Sequence, residues 1–258
     1  MKIRVLGCSG GIGGENRTTA LLVDDDVLID CGTGVGELPL QSLVRIDHVL
    51  LTHTHLDHVA MLPMLLDTVA DLRQGPVRVY GLPESLEALR RHVFNWQMWP
   101  DFTVLPEADN PGLLLLPLQP GENLQLGTRR IRLVPALHTV PATGYCLDAG
   151  GEALVFTGDT VDNPALRRAL EAISELRYLL IEAALPDSSL ALAQSAGHLT
   201  PSGLFALLEA LTVRPEVFVT HLKPGHVREI TAQLASARLP QTLRSLARDQ
   251  VFVLNTAS

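Results

Sequence analysis

The stretch His53-Thr54-His55-Leu56-Asp57-His58 holds three of the chain's nine histidines and an aspartate within six residues, directly after the apolar run "HVLLT". An apolar run of this length, rich in branched residues, reads as a buried strand. Where the chain leaves it still extended, side chains repeat their direction every second residue, so His53 and His55 point the same way. The following "VAMLPMLLDTVADL" has helical spacing, which puts Asp57 and His58 at a strand-to-helix turn, facing partly away from the first pair. One short segment can therefore offer two neighbouring metal positions. Imidazole nitrogen with carboxylate oxygen suits zinc first, and also accepts manganese or iron. The competing account is a solvated helix start that happens to be rich in histidine, and four ligand-type residues in six positions count against it.

Further ligand-type residues stand at the ends of other strand-like runs: His138 after "IRLVPAL", Asp159 in "LVFTGDT" and His221 in "VFVTHLKPGH". A lone histidine or aspartate is usually a solvated loop residue, but three in equivalent strand-end positions suggest one shared rim. Short β-like runs ("KIRVLG", "TALLV", "DVLID", "VRVY") alternate with amphipathic stretches, including a helix over residues 84–93. "GYCLD" and "ALVFTGD" are joined by an "AGG" hairpin turn. The C-terminal third alternates "RYLLIEA", a helix opening at Thr200-Pro201, "EVFVT", a helix near residues 229–239, and "VFVL". Strands grouped in each half with helices between them predict two packed sheets, each covered outside by helices, an α/β αββα sandwich. No repeat or linker divides the chain, so residues 1–258 are expected to form a single domain.

Composition removes several alternatives. The net charge is −8, with no run of Lys or Arg, which argues against a long nucleic acid as substrate, although metals can invert the field inside one cleft. No apolar run approaches the roughly twenty residues of a membrane helix. The N-terminus lacks the apolar core of a secretory signal, so a cytoplasmic location is expected. Cys8, Cys31 and Cys146 are odd in number and far apart, which fits small buried residues rather than a disulfide framework.

The pattern His53, His55, Asp57, His58, His138, Asp159, His221 resembles the metallo-β-lactamase superfamily of hydrolases over nearly the whole chain. The resemblance implies that His53, His55 and His138 bind one metal ion and Asp57, His58 and His221 a second, with Asp159 bridging both. It also implies that Asp30, in "LIDCGTG", supports the ligand histidines from behind. Two divalent ions about 3.5–4 Å apart can hold hydroxide near neutral pH and stabilise an in-line displacement at phosphorus. The same centre can attack thioesters or lactones.

Gly197-His-Leu-Thr-Pro201 after Glu182, "THLKPGH" with Lys223, the N-terminal glycine loop and the leucine of "HTHLDH" are similar to the class II cyclic-nucleotide phosphodiesterases. That similarity implies a small, cyclic-nucleotide-like phosphodiester as substrate. His198, at a helix mouth where backbone N–H groups are unpaired, could protonate the departing alkoxide, with Glu182 orienting it. Lys223 divides evenly between a phosphate contact and a solvated turn lysine. Asn16, Arg17 and Thr18 could line the pocket, though a plain loop role is the commoner one. His48 and His92 read as boundary residues and His226 has no assigned part. Trp96, Met98 and Trp99 form an apolar cluster that could stack on a base or pack in a core. The rival inside the superfamily is the endonuclease that trims transfer-RNA 3′ ends, but its long basic arm has no room in the twenty residues between His138 and Asp159. A thioester hydrolase of the same fold and a non-catalytic metal-binding module are the remaining alternatives. A homodimer is the resemblance's expectation for assembly.

Overall fold

Apolar side chains alternate along the strands, and that alternation builds the layers. In the computed structural model, which describes residues 1–256, Leu21, Val23, Val27, Ile29 and Leu50 turn one way and join a buried cluster with Tyr145, Leu147, Leu154, Phe156 and Phe218. Their strand neighbours Leu22, Leu28, Val49 and Leu51 turn the other way and pack on helices Leu62–Val69 and Pro83–His92. On the far side Val155, Leu179, Ile181, Val217 and Val219 pack on helices Pro164–Glu171, Pro201–Glu209 and Val227–Ala235. The result is the expected helix–sheet–sheet–helix sandwich, with one core between the sheets and one beneath each helical layer.

Each of the two packed sheets has seven strands among the described residues, and Pro106–Glu107 and Asn110–Pro111 form a separate two-stranded one. The first runs Val251–Val253, Lys2–Gly7, Ala20–Val23, Val27–Ile29, His48–Leu50, Val77–Gly81, Leu113–Pro117, antiparallel at its beginning and parallel from Val27–Ile29 onward. The second runs Leu243–Ser245, Glu216–Thr220, Leu176–Glu182, Ala153–Phe156, Thr143–Asp148, Arg129–Pro135, Asn123–Leu126. It is parallel among the first four and antiparallel among the rest. The strands that end before His53, His138, Asp159 and His221, and the one that ends at Glu182, all run toward the same edge of the sandwich.

Three local expectations are corrected. Strands do not divide cleanly by half, because the last one, Val251–Val253, crosses over to pair with Lys2–Arg4 at the edge of the first sheet. The helix after the histidine segment is two helices, Leu56–Val59 and Leu62–Val69. Pro63 has no N–H for a continuous ladder, and Met61 N–H turns aside to the Cys31 carbonyl. The helix expected near residues 229–239 is Val227–Ala235. The "AGG" hairpin forms as expected, with Asp148 accepting the Gly150 N–H. Cys31 and Cys146 are buried, Cys8 is partly so, and all three thiols are free. No helix among the described residues is long and apolar enough to cross a membrane.

Tyr145 ties the layers together at the site. Its ring is fully buried in the second sheet's inner face, and its hydroxyl donates to the Leu51 carbonyl at 2.7 Å, two residues before His53. Tyr145→Phe is expected to lose about 1–2 kcal/mol of stability, because the buried carbonyl loses its side-chain donor. Denaturant unfolding checks this, with an unchanged midpoint as the contrary result.

Candidate metal centre and active-site cleft

The His53 segment leaves the strand His48–Leu50 through Thr52, whose N–H and hydroxyl both donate to Asp30, at 2.8 Å each. Asp30 sits at φ 57°, a left-handed position that aspartate tolerates better than most residues. It is fully buried and its Oδ2 lies 2.7 Å from His58 Nδ1. The Thr52 hydroxyl is also 3.0 Å from His53 Nδ1. The Nδ1 faces of His53 and His58 are thus held from behind, which leaves each Nε2 free to face forward. His138 is held in the same way, by Nδ1 donating to the Gly197 carbonyl at 2.8 Å. His221 follows its strand at φ 61°, another left-handed non-glycine position. Strained backbone of this kind gathers at functional sites.

The strand-end residues converge. His53, His55 and His138 bring three imidazole nitrogens within 4.8 Å of one another; His53, His58 and Asp159 form a second such group, and Asp57, His58 and His221 a third. His138 Nε2 is 3.1 Å from His55 Nδ1. The Asp159 carboxylate lies 3.7 Å from His53 Nε2, 3.4 Å from His58 Nε2 and 3.2 Å from His221 Nδ1. Asp57 Oδ2 is 3.6 Å from His221 Nε2.

The residues present fit divalent cations. His53 Nε2, His58 Nε2 and His221 Nδ1 are buried with no hydrogen-bond partner, and all three face Asp159. Orphaned buried nitrogens are costly unless something else satisfies them. Burial pushes His221 down to about 3 and His53 well below the usual range, which leaves both as neutral imidazoles, the ligating form. Burial acts on His58 in the same sense, but Asp159 and Asp30 outweigh it and hold His58 well above the usual value. Burial raises the Asp30 carboxyl, although the charge and hydrogen bond of His58 act on it in the opposite sense. Burial alone would raise Asp159, yet the surrounding imidazoles hold it well below the ordinary carboxylate range. An ionised carboxylate among neutral imidazoles is a donor set that suits a divalent cation.

Glu182 and His198 join the cluster from the second sheet. Glu182 is fully buried and accepts from Thr160 N–H at 3.0 Å, Ala184 N–H at 3.1 Å and Leu199 N–H at 3.2 Å, with His198 Nδ1 2.8 Å from its Oε1. The His198 ring lies 5.0 Å from the His138 ring and 5.2 Å from that of His221. Burial lowers His198, but the hydrogen bond and charge of Glu182 more than offset it, so His198 is raised. Thr200 caps the helix Pro201–Glu209, accepting from Gly203 N–H, as its sequence suggests. Lys223 Nζ stands 3.3 Å from His221 Nε2.

Other candidates are engaged by other partners. Arg17 pairs with Glu37 at 2.6 Å and donates to the Gly14 carbonyl, and Asn16 donates to the Gly13 carbonyl at 2.9 Å, so both side chains are spent on their own loop. Thr18 is buried against Thr33. His48 is 3.3 Å from the Tyr80 hydroxyl, His92 ends a helix, and His226 lies in the turn Pro224–His226. Trp99 packs on the first sheet's outer core, whereas Trp96 and Met98 are exposed. Two contributors had no role in the sequence reading: Thr52, marked only by its place between strand and histidines, and Gly197, known only as the start of its motif, whose carbonyl holds His138. A Cβ on Gly197 would stand 2.9 Å from His138 Nδ1, at φ 70°.

Residues 25–222 match the family described as the beta-lactamase superfamily domain. The chain belongs to that family. Among its relatives, a probable 3′,5′-cyclic-nucleotide phosphodiesterase of Yersinia pestis is 23% identical, over 87% of this chain and 78% of that protein. A ribonuclease Z of Bradyrhizobium sp. strain ORS 278 is 29% identical, over 92% and 94%. The crystal structure of unliganded yeast PDE1 superposes with a TM-score of 0.78 at 20% identity, covering 98% of this chain and 99% of that one. The superposition shows the shared metallo-β-lactamase fold.

Asp30→Ala is expected to weaken metal affinity about 10–100-fold, because His58 and Thr52 lose the carboxylate that orients them. Metal competition titration measures this, and wild-type affinity would remove Asp30 from its supporting role.

Proposed function

We propose that this member of the superfamily, a metal-dependent hydrolase, cleaves a small phosphodiester, with cyclic nucleotides the leading class. The observation that carries the reading is the meeting, in one cleft, of seven His and Asp ligand-type side chains with the buried Glu182–His198 pair. His53, His55 and His138 would hold one divalent cation, and Asp57, His58 and His221 a second, with Asp159 facing both; the nitrogen-rich donor set favours zinc, then manganese or iron. Such cations supply Lewis-acid activation of water and neutralise charge on phosphoryl oxygens.

The chain's own residues do the rest. With Nδ1 turned to Glu182, His198 keeps its Nε2 proton for the departing alkoxide, which converts a poor leaving group into an alcohol. Glu182 positions that ring. Lys223 offers its ammonium to a non-bridging phosphoryl oxygen beside His221.

The ribonuclease Z relatives favour a second reading, cleavage of an RNA phosphodiester by the same cluster. Against it stand the net charge of −8 and the interval between His138 and Asp159, which the hairpin of Thr143–Asp148 and Ala153–Phe156 occupies. A side-by-side assay of 2′,3′- and 3′,5′-cyclic nucleotides, linear RNA and thioesters, with each divalent ion, decides between them. Turnover of cyclic nucleotides far above RNA supports the first reading. Metal-loaded, folded protein that turns over none of these overturns it.

A further inference from the structure

A cavity of about 580 Å³ opens beside the cluster, and His138 forms part of its wall. It lies between the first turn of helix Pro83–His92 and the loop 136–142, which Ser85 ties together by donating to the Pro141 carbonyl at 3.4 Å. Pro83, Pro120, Leu137, Val140 and Pro141 make the larger part of its wall apolar, and three of these five are prolines, whose rings fix the local φ. Its charged and amide groups are Glu84 and Gln119, both exposed. The lining includes no lysine or arginine, and its one aromatic ring is the His138 imidazole. Whatever sits there borders His138, the one cluster residue in the lining, and meets a largely apolar wall with a negative charge at the mouth.

We infer that this cavity receives the organic group of the substrate, and that Glu84 selects groups that are uncharged and donate hydrogen bonds while turning away a second phosphate. The inference rests on the phosphodiester reading above and narrows it. A carboxylate accepts N–H and O–H donors and repels anions, and no lysine or arginine in the lining pairs with Glu84 to weaken that repulsion at the mouth. A continuing polyanionic strand on this side would meet Glu84, whereas a nucleoside or similar group bearing one phosphodiester would not. Gln119, with both donor and acceptor atoms, tolerates either polarity and adds orientation rather than charge selection.

The test uses two esters with one leaving group: thymidine 5′-(4-nitrophenyl phosphate) and the same compound carrying a 3′-phosphate. The metal-loaded wild-type enzyme should prefer the singly charged ester in kcat/KM. Glu84→Gln should narrow that preference, and Glu84→Lys should shift the ratio roughly tenfold toward the 3′-phosphorylated ester, as expected for reversing one charge at a partly screened distance. Val140→Trp, which fills the cavity, should raise KM for both nucleoside esters about fivefold or more while metal content stays at two ions per chain. A substrate ratio within twofold of wild type in both Glu84 variants, with helical content intact, overturns the assignment. Failure of the wild-type enzyme to cleave either ester or bis(4-nitrophenyl) phosphate strikes instead at the phosphodiester reading itself.

Discussion

Asp159→Ala is expected to reduce bound metal from two ions per chain to one or none, and to lower kcat/KM at least about a thousandfold, equivalent to roughly 4 kcal/mol of transition-state stabilisation. The size follows from position. Asp159 is 3% exposed and its carboxylate lies within 3.2–3.7 Å of imidazole nitrogens on His53, His58 and His221. Alanine there removes the negative charge that three otherwise unsatisfied nitrogens face. Asp159→Asn keeps the shape and removes the charge, so it should lose metal nearly as fully, which separates electrostatics from packing. Elemental analysis of dialysed protein, beside turnover of a chromogenic phosphodiester, gives both readouts. An Asp159→Ala protein that keeps two ions and a tenth of its activity would refute the shared-cluster account.

His198→Ala should behave differently: metal content unchanged, KM little changed, and kcat down about 10²–10⁴-fold on esters with alkoxide leaving groups. On 4-nitrophenyl esters, whose leaving group needs no proton, the loss should be far smaller. This contrast is the discriminating part, because a structural defect would slow both substrates alike. His198 can also be grouped with His138 and Asp159 as a metal-ligating set. Loss of an ion in His198→Ala would therefore reassign it from proton donor to ligand. Glu182 is the less clean target, since its buried carboxylate also accepts three backbone N–H groups, from Thr160, Ala184 and Leu199, and its replacement would disturb those loops as well.

Legibility tracked how local the cause was. The His53–His58 segment could be read because its signal is a spacing within six residues after an apolar strand. The sandwich could be read because period-two alternation needs only neighbours in sequence. Arg17 and Asn16 could not be placed, since Glu37 and the carbonyls of their own glycine loop compete for them and that competition depends on how the loop closes. The crossing of Val251–Val253 to the first strand was equally hidden, because strand pairing is non-local and the run reads the same in either sheet.

Taken alone, the order of residues determined which side chains can carry the chemistry, the strands they follow and the layered class of the fold, because residue type and periodicity are properties of short segments. Only the tertiary structure decided that Asp159 faces three imidazoles, that Thr52 and the Gly197 carbonyl aim His53 and His138, and that Glu84 stands at the mouth of a cavity walled by His138. The contacts of Asp159, Gly197 and Glu84 join residues brought together by the packing of the sandwich, whose two sheets meet face to face, and contact across such distances in sequence has no local signature. Thr52 adjoins His53 in sequence, but its orientation depends on the distant Asp30.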